Sequence, residues 1–108
     1  MRFGRTAWLL VGVMLAASLP AAAQTTPEKG EEIAARLCSR CHAVGRKGDS
    51  PMGVAPTFRS LPKRYPVENL AEAFAEGIVT GHPAMPRFVF TPAEIDALLA
   101  YIDSLDED

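Results

Sequence analysis

Two cysteines separated by two residues, with a histidine directly after the second, limit what this chain can fold into more than any other feature it has: Cys38-Ser39-Arg40-Cys41-His42. They are its only cysteines. On a helical backbone, positions i, i+3 and i+4 share a face, so both sulfurs and the imidazole are directed to one side. Whatever meets that side must engage two thiols and an imidazole nitrogen together.

The N-terminus narrows the choice. Arg2 and Arg5 precede an apolar run, Ala7 to Leu19; Pro20 breaks it, and Ala21-Ala22-Ala23 offers the small-x-small cleavage pattern of a secretory signal. The run is shorter than the ~20 residues a membrane-spanning helix needs. The expected division is a signal peptide over residues 1–23 and one domain over residues 24–108, starting at Gln24. No cysteine follows the cleavage point directly, which argues against a lipid anchor. The expected location is the periplasm, with no membrane span once the signal is cleaved. Paired thiols in such an oxidising compartment usually form a disulfide, so Cys38 and Cys41 need a chemical explanation.

Removing Arg2 and Arg5 takes 11 basic residues to 9, against 13 acidic ones, for a net charge of −4. That excludes a generally basic nucleic-acid binder. The only tryptophan, Trp8, leaves with the signal. The remaining domain is small enough that a staple, metal or cofactor is expected to supplement its core.

Three helices are legible. The first is expected to start with Thr26 as N-cap and Pro27 at the first helical position. Ile33, Ala34, Leu37, Cys38 and Cys41 then share a face, and Gly45 and Gly48 end the helix. Residues 43–66 read as a loop, given Gly45, Gly48, Pro51, Gly53, Pro56, Pro62 and Pro66. A second helix is expected over Val67 to Glu76, its apolar stripe formed by Leu70, Ala73, Phe74, Gly77 and Ile78. The third opens on Thr91-Pro92-Ala93-Glu94, a capping box, and buries Ile95, Leu98, Leu99, Ile102 and Leu105. No strand is convincing. The expected fold is all-α: three main helices and long loops around one large apolar group.

The Cys-x-x-Cys-His pattern supplies that group, because it is the attachment signature of haem c. Cys38 and Cys41 would form thioethers with one macrocycle, which consumes both thiols and accounts for their survival after export. His42 would be the proximal iron ligand. A thioredoxin-like site would need a strand–helix–strand setting. A zinc site would need four ligands, and beyond the motif the domain has only His82 among further Cys and His residues.

Three residues compete for the second axial position: Met85, His82 and Met52. Met85 is preferred, because it lies in Gly81-His82-Pro83-Ala84-Met85-Pro86, where two prolines restrict the backbone beside a weak thioether. His82 is the serious rival and would lower the potential. Met52 stands only ten residues past His42.

With these residues in hand, the chain resembles the class I (single-haem, cytochrome c-like) bacterial c-type cytochromes over residues 27 to 105. The resemblance rests on Gly30, Cys38-Ser39-Arg40-Cys41-His42, Pro56, Met85-Pro86, Leu98 and Tyr101. It implies that the Pro56 carbonyl accepts a hydrogen bond from His42, and that the first and last helices cross closely at Gly30 and Tyr101. Two departures stand out. The family's Gly-Pro is Ala55-Pro56 here, and the tryptophan that larger members place near a haem propionate is missing. Arg59, Lys63, Arg64 and Tyr65 are candidate replacements for it.

Nothing in the domain resembles a nucleophile–base pair or a second metal cluster, so an electron carrier is expected rather than an enzyme. The alternative is a haem c subunit permanently bound within a larger oxidoreductase complex. Expected partners are redox proteins docking at the haem edge.

Overall fold

The computed structural model describes residue 4 and residues 11–19, 25–77 and 84–106. Most of the signal segment and its cleavage site lie outside the described residues, as do Ile78, His82 and Pro83. Four helices are present: α1 (Thr26–Leu37), α2 (Leu61–Arg64), α3 (Val67–Glu76) and α4 (Pro92–Ser104), with a 3-10 turn at Phe58–Ser60 ahead of α2. No strand occurs among the described residues. The all-α class is as expected.

The helix starts follow from local hydrogen bonding. In α1 the Thr25 side chain accepts from the Glu28 N–H at 3.4 Å, and the Thr25 N–H donates to the Glu28 carboxylate at 2.9 Å. This reciprocal pair places the N-cap at Thr25, one residue before the expected Thr26. Pro27 stays in the first turn, where its missing N–H has no intrahelical partner to lose. The same device opens α4, with Thr91 N–H to Glu94 at 2.9 Å and Glu94 N–H to Thr91 at 3.2 Å. The hydrogen bond from the Thr91 backbone, then that from its side chain, hold the Glu94 carboxyl below its ordinary range.

Two expectations need correction. Regular helix in α1 stops at Leu37 rather than running to Gly45, with Cys38 as its C-cap and a turn after it. The stretch 43–66 is not all loop. Pro62 lies in the first turn of α2 and so starts a helix rather than breaking one.

The core is built mainly where α1 crosses α4. Ile33, Ala34 and Cys38 pack with Phe58, Ala97, Leu98, Tyr101, Ile102 and Leu105, while α3 lies against α4 with its Phe74 only partly buried. Leu99, expected inside, is likewise only partly buried; Ala97 and Tyr101 take the face of α4 that meets α1. The reason is Gly30. A Cβ there would overlap the Ala97 carbonyl oxygen and come within 2.7 Å of the Tyr101 Cβ. The two backbones are in direct contact, which no larger residue permits. Gly30→Ala is therefore expected to destabilise the protein by about 3 kcal/mol or more, the upper range for overpacking. Urea denaturation of the holoprotein checks this; an unchanged midpoint would show that the helices can part at no cost.

Two long-range hydrogen bonds then tie the segment after the cysteines to α4. The Tyr101 hydroxyl donates to the Val44 carbonyl at 2.5 Å, and Arg46 donates to the Ser104 carbonyl at 2.9 Å. Burial pushes the Tyr101 hydroxyl's pKa up, which keeps it a neutral donor.

Candidate functional site

The cysteine motif sits on a turn that carries the direction of α1 onward. Cys38 N–H bonds back to Ala34 O at 2.9 Å, Cys41 N–H to Cys38 O at 3.2 Å, and His42 N–H to Cys38 O at 3.0 Å. The last of these is a helical i to i−4 bond, so Cys38 and His42 remain one turn apart although regular helix has ended. Cys38 is buried and Cys41 half-buried; neither is in a disulfide. Burial pushes the Cys38 thiol up to about 11, so it is held as the neutral thiol.

The residues that follow orient His42. Its Nδ1 lies 2.7 Å from the Pro56 carbonyl oxygen. A carbonyl only accepts, so Nδ1 carries the proton and donates. The Nε2 lone pair is then free to ligate a metal. Pro56 is itself held nearby: Met52 N–H donates to Cys41 O at 3.1 Å, and Phe58 N–H to Ala43 O at 2.9 Å. The Ala43 N–H donates to the Ser50 hydroxyl at 3.0 Å. Residues 43–58 are thus folded back on the motif by their own backbone bonds.

Phe58 was not singled out from sequence. Its ring lies 5.3 Å from the His42 ring at 56°, and the side chain is buried. Packed beside the imidazole, it adds a steric limit on ring rotation to the Pro56 bond. The available signal was an apolar residue two positions past Pro56, inside a stretch otherwise read as loop.

Of the three candidates for the opposite ligand, Met85 is half-buried, whereas the Met52 side chain is exposed at 37%. His82 lies outside the described residues. Met85 begins a segment that returns to α3 through an aromatic cluster. Phe90 meets Phe74 edge-on at 5.7 Å, and Phe88 stacks on Phe90 at 5.6 Å.

Among the suggested propionate donors, Lys63, Arg64 and Tyr65 are exposed. Arg59 is half-buried, and its Nη1 is buried with no hydrogen-bond partner among the described residues. It lines a cavity of about 230 Å³ together with Thr57, Ser60, Lys63 and Leu105. That lining includes neither cysteine nor His42.

The motif fits haem c: two thiols three residues apart on a helical turn and an imidazole whose Nε2 is freed by a backbone acceptor. No cluster of three or more His, Cys, Asp or Glu residues suited to a metal ion occurs among the described residues. No described helix is long and apolar enough to cross a membrane. Comparison with family models matches residues 27–106 to the family described as Cytochrome c. No curated protein and no solved structure matches the chain.

Proposed function

Because the chain belongs to the cytochrome c family, in the class I branch, whose chemistry is haem-based electron transfer, we propose that its own residues hold one haem c for that purpose. Cys38 and Cys41 carry the thioethers, His42 is the proximal ligand and Met85 the distal one. The chain works in the periplasm after losing residues 1–23.

The observation that carries this reading is the 2.7 Å bond from His42 Nδ1 to the Pro56 carbonyl. It fixes one tautomer and one ring orientation, with Nε2 directed as a ligand. An ordinary disulfide at Cys38 and Cys41 would give that bond no purpose. When bound, haem supplies a one-electron iron couple. The chain's part is to hold both axial ligands, limit water and present an edge to partners. A thioether opposite an imidazole favours the reduced state and raises the potential.

The test is to recover the exported protein, measure its intact mass, and follow a redox titration by absorption. The expected results are the mass of residues 24–108 plus one haem, a one-electron transition, and a methionine–iron charge-transfer band in the oxidised form. A protein lacking covalent haem would overturn the assignment of the cysteines. A mass that retains residues 1–23 would overturn export with cleavage.

Charge placement suggests how partners approach. Arg36, Arg40, Arg46, Lys47, Lys63, Arg64 and Arg87 are exposed, and with Arg59 they run from the last turn of α1 to the Met85 segment. Glu68, Glu72 and Glu76 lie along α3, and Asp103 and Asp106 at the end of α4 are exposed. Such a division steers an acidic partner to the basic side despite the acidic total. Electron-transfer rates with an acidic partner are expected to fall with added salt, over a range set by the ~10 Å screening length at 0.1 M. Rates that rise with salt would show that net charge governs docking instead.

A further inference from the structure

The end of α3 and the segment that carries Met85 meet at one point. Gly77 caps α3 at φ +78°, a left-handed conformation that glycine alone adopts without strain. A Cβ built on Gly77 would lie 3.3 Å from the Cγ, Cδ and Nε of Arg87. The Arg87 stem therefore runs across the bare backbone of Gly77, with its Nε near the carbonyl end of α3. A cation is favoured at a helix C-terminus. Arg87 follows Met85 by two residues, and farther along the same segment Phe90 rests on Phe74 of α3.

We propose that Arg87 is a positioning residue for Met85: its side chain, clasped over Gly77, fastens the methionine segment to the end of α3 and so resists departure of the thioether from the iron. The proposal rests on the reading of Met85 as distal ligand. Contact between residues 77 and 87 closes the stretch of chain that contains Met85, which removes conformations in which that residue swings away. A side chain at position 77 would be strained by φ +78° and would have to push the Arg87 stem aside. Phe90 against Phe74 is a second attachment on the same helix, but lies five residues from Met85, too far along the chain to fix its backbone alone. The functional consequence is selectivity. A held Met85 would leave no open position on a bound haem iron, so that electrons would pass while small ligands stay out.

Imidazole reads this directly, because it binds ferric haem only when the methionine has left, and its apparent affinity scales with the fraction of protein in that open state. Titrations use the holoprotein at a pH where imidazole is neutral, in four forms: the parent, Arg87→Ala, Met85→Ala, and both changes together. Arg87→Ala is expected to raise imidazole affinity about tenfold when Met85 is present and to leave it unchanged in the Met85→Ala background. Arg87→Lys, which keeps the stem and the charge, should restore most of the parent value. An equal rise in both backgrounds would show that Arg87 acts on the haem pocket without Met85, and no rise in either would show that the clasp holds nothing; each outcome overturns the proposal. If the parent and Met85→Ala proteins bind imidazole equally and share one absorption spectrum, it is the ligand reading itself that fails, a result distinct from the other two.

Discussion

Replacing Cys38 and Cys41 together by alanine is expected to leave a chain that does not fold cooperatively at all. The apolar core explains why. Among the described residues, only Leu98, Ile102 and Leu105 are large side chains with essentially no exposure, and all three lie on α4 or at its C-cap. Neither α2 nor α3 contains a buried residue. Among the described residues the crossing of α1 with α4, with Phe58 added from the 3-10 turn, is the main buried contact, and so small a core does not offset the conformational entropy of ordering the long connections around it. On the proposed reading a covalent haem would add a large apolar surface and tie the motif to Met85, and its loss would remove both. Far-UV circular dichroism during thermal unfolding checks the prediction. A haem-free variant with a sigmoidal, cooperative transition would show that the helices are sufficient alone.

Met85→Ala is expected to produce the second large effect, and one of a different kind. Haem stays covalently attached, because Cys38 and Cys41 are untouched, but the methionine–iron band disappears. The potential should fall by on the order of 0.1 V or more, since axial ligands tune haem potentials over ~0.8 V. Met52→Ala should change neither property, in keeping with a side chain that is already exposed. Absorption spectra and redox titration of the two variants make the comparison. If His82→Ala removes the parent spectrum and Met85→Ala does not, histidine is the distal ligand.

How much of this was legible beforehand depended on distance along the chain. Helix starts are decided within four residues. The threonine–glutamate pair at Thr91 and Glu94 marks α4 at once, and the same pair at Thr25 and Glu28, one residue ahead of Thr26 and Pro27, sets the start of α1. The cysteine motif is equally local: its spacing already puts Cys38 and His42 one turn apart, and the bond from His42 N–H to Cys38 O is the physical form of that spacing. Proline is ambiguous: in residues 43–66 it signals a loop, yet in the first turn of a helix it loses nothing, and α2 starts at Leu61–Pro62.

The sequence by itself determined the helix class, the capped starts and a turn able to present two sulfurs and an imidazole to one side, because each depends on neighbours within a turn or so. Resemblance to a family, rather than spacing, suggested that Gly30 meets Tyr101 and that His42 meets Pro56. Only the tertiary structure decided the contacts themselves: the missing Cβ of Gly30 against Ala97, the Phe58 ring beside His42, the Tyr101 hydroxyl on Val44, and Arg87 laid across Gly77. These pairs are separated by ten to nearly seventy residues. Nothing local fixes where a chain returns; that is settled when the backbones of α1 and α4 close on each other at a glycine and the loops must find acceptors for the groups this leaves in place.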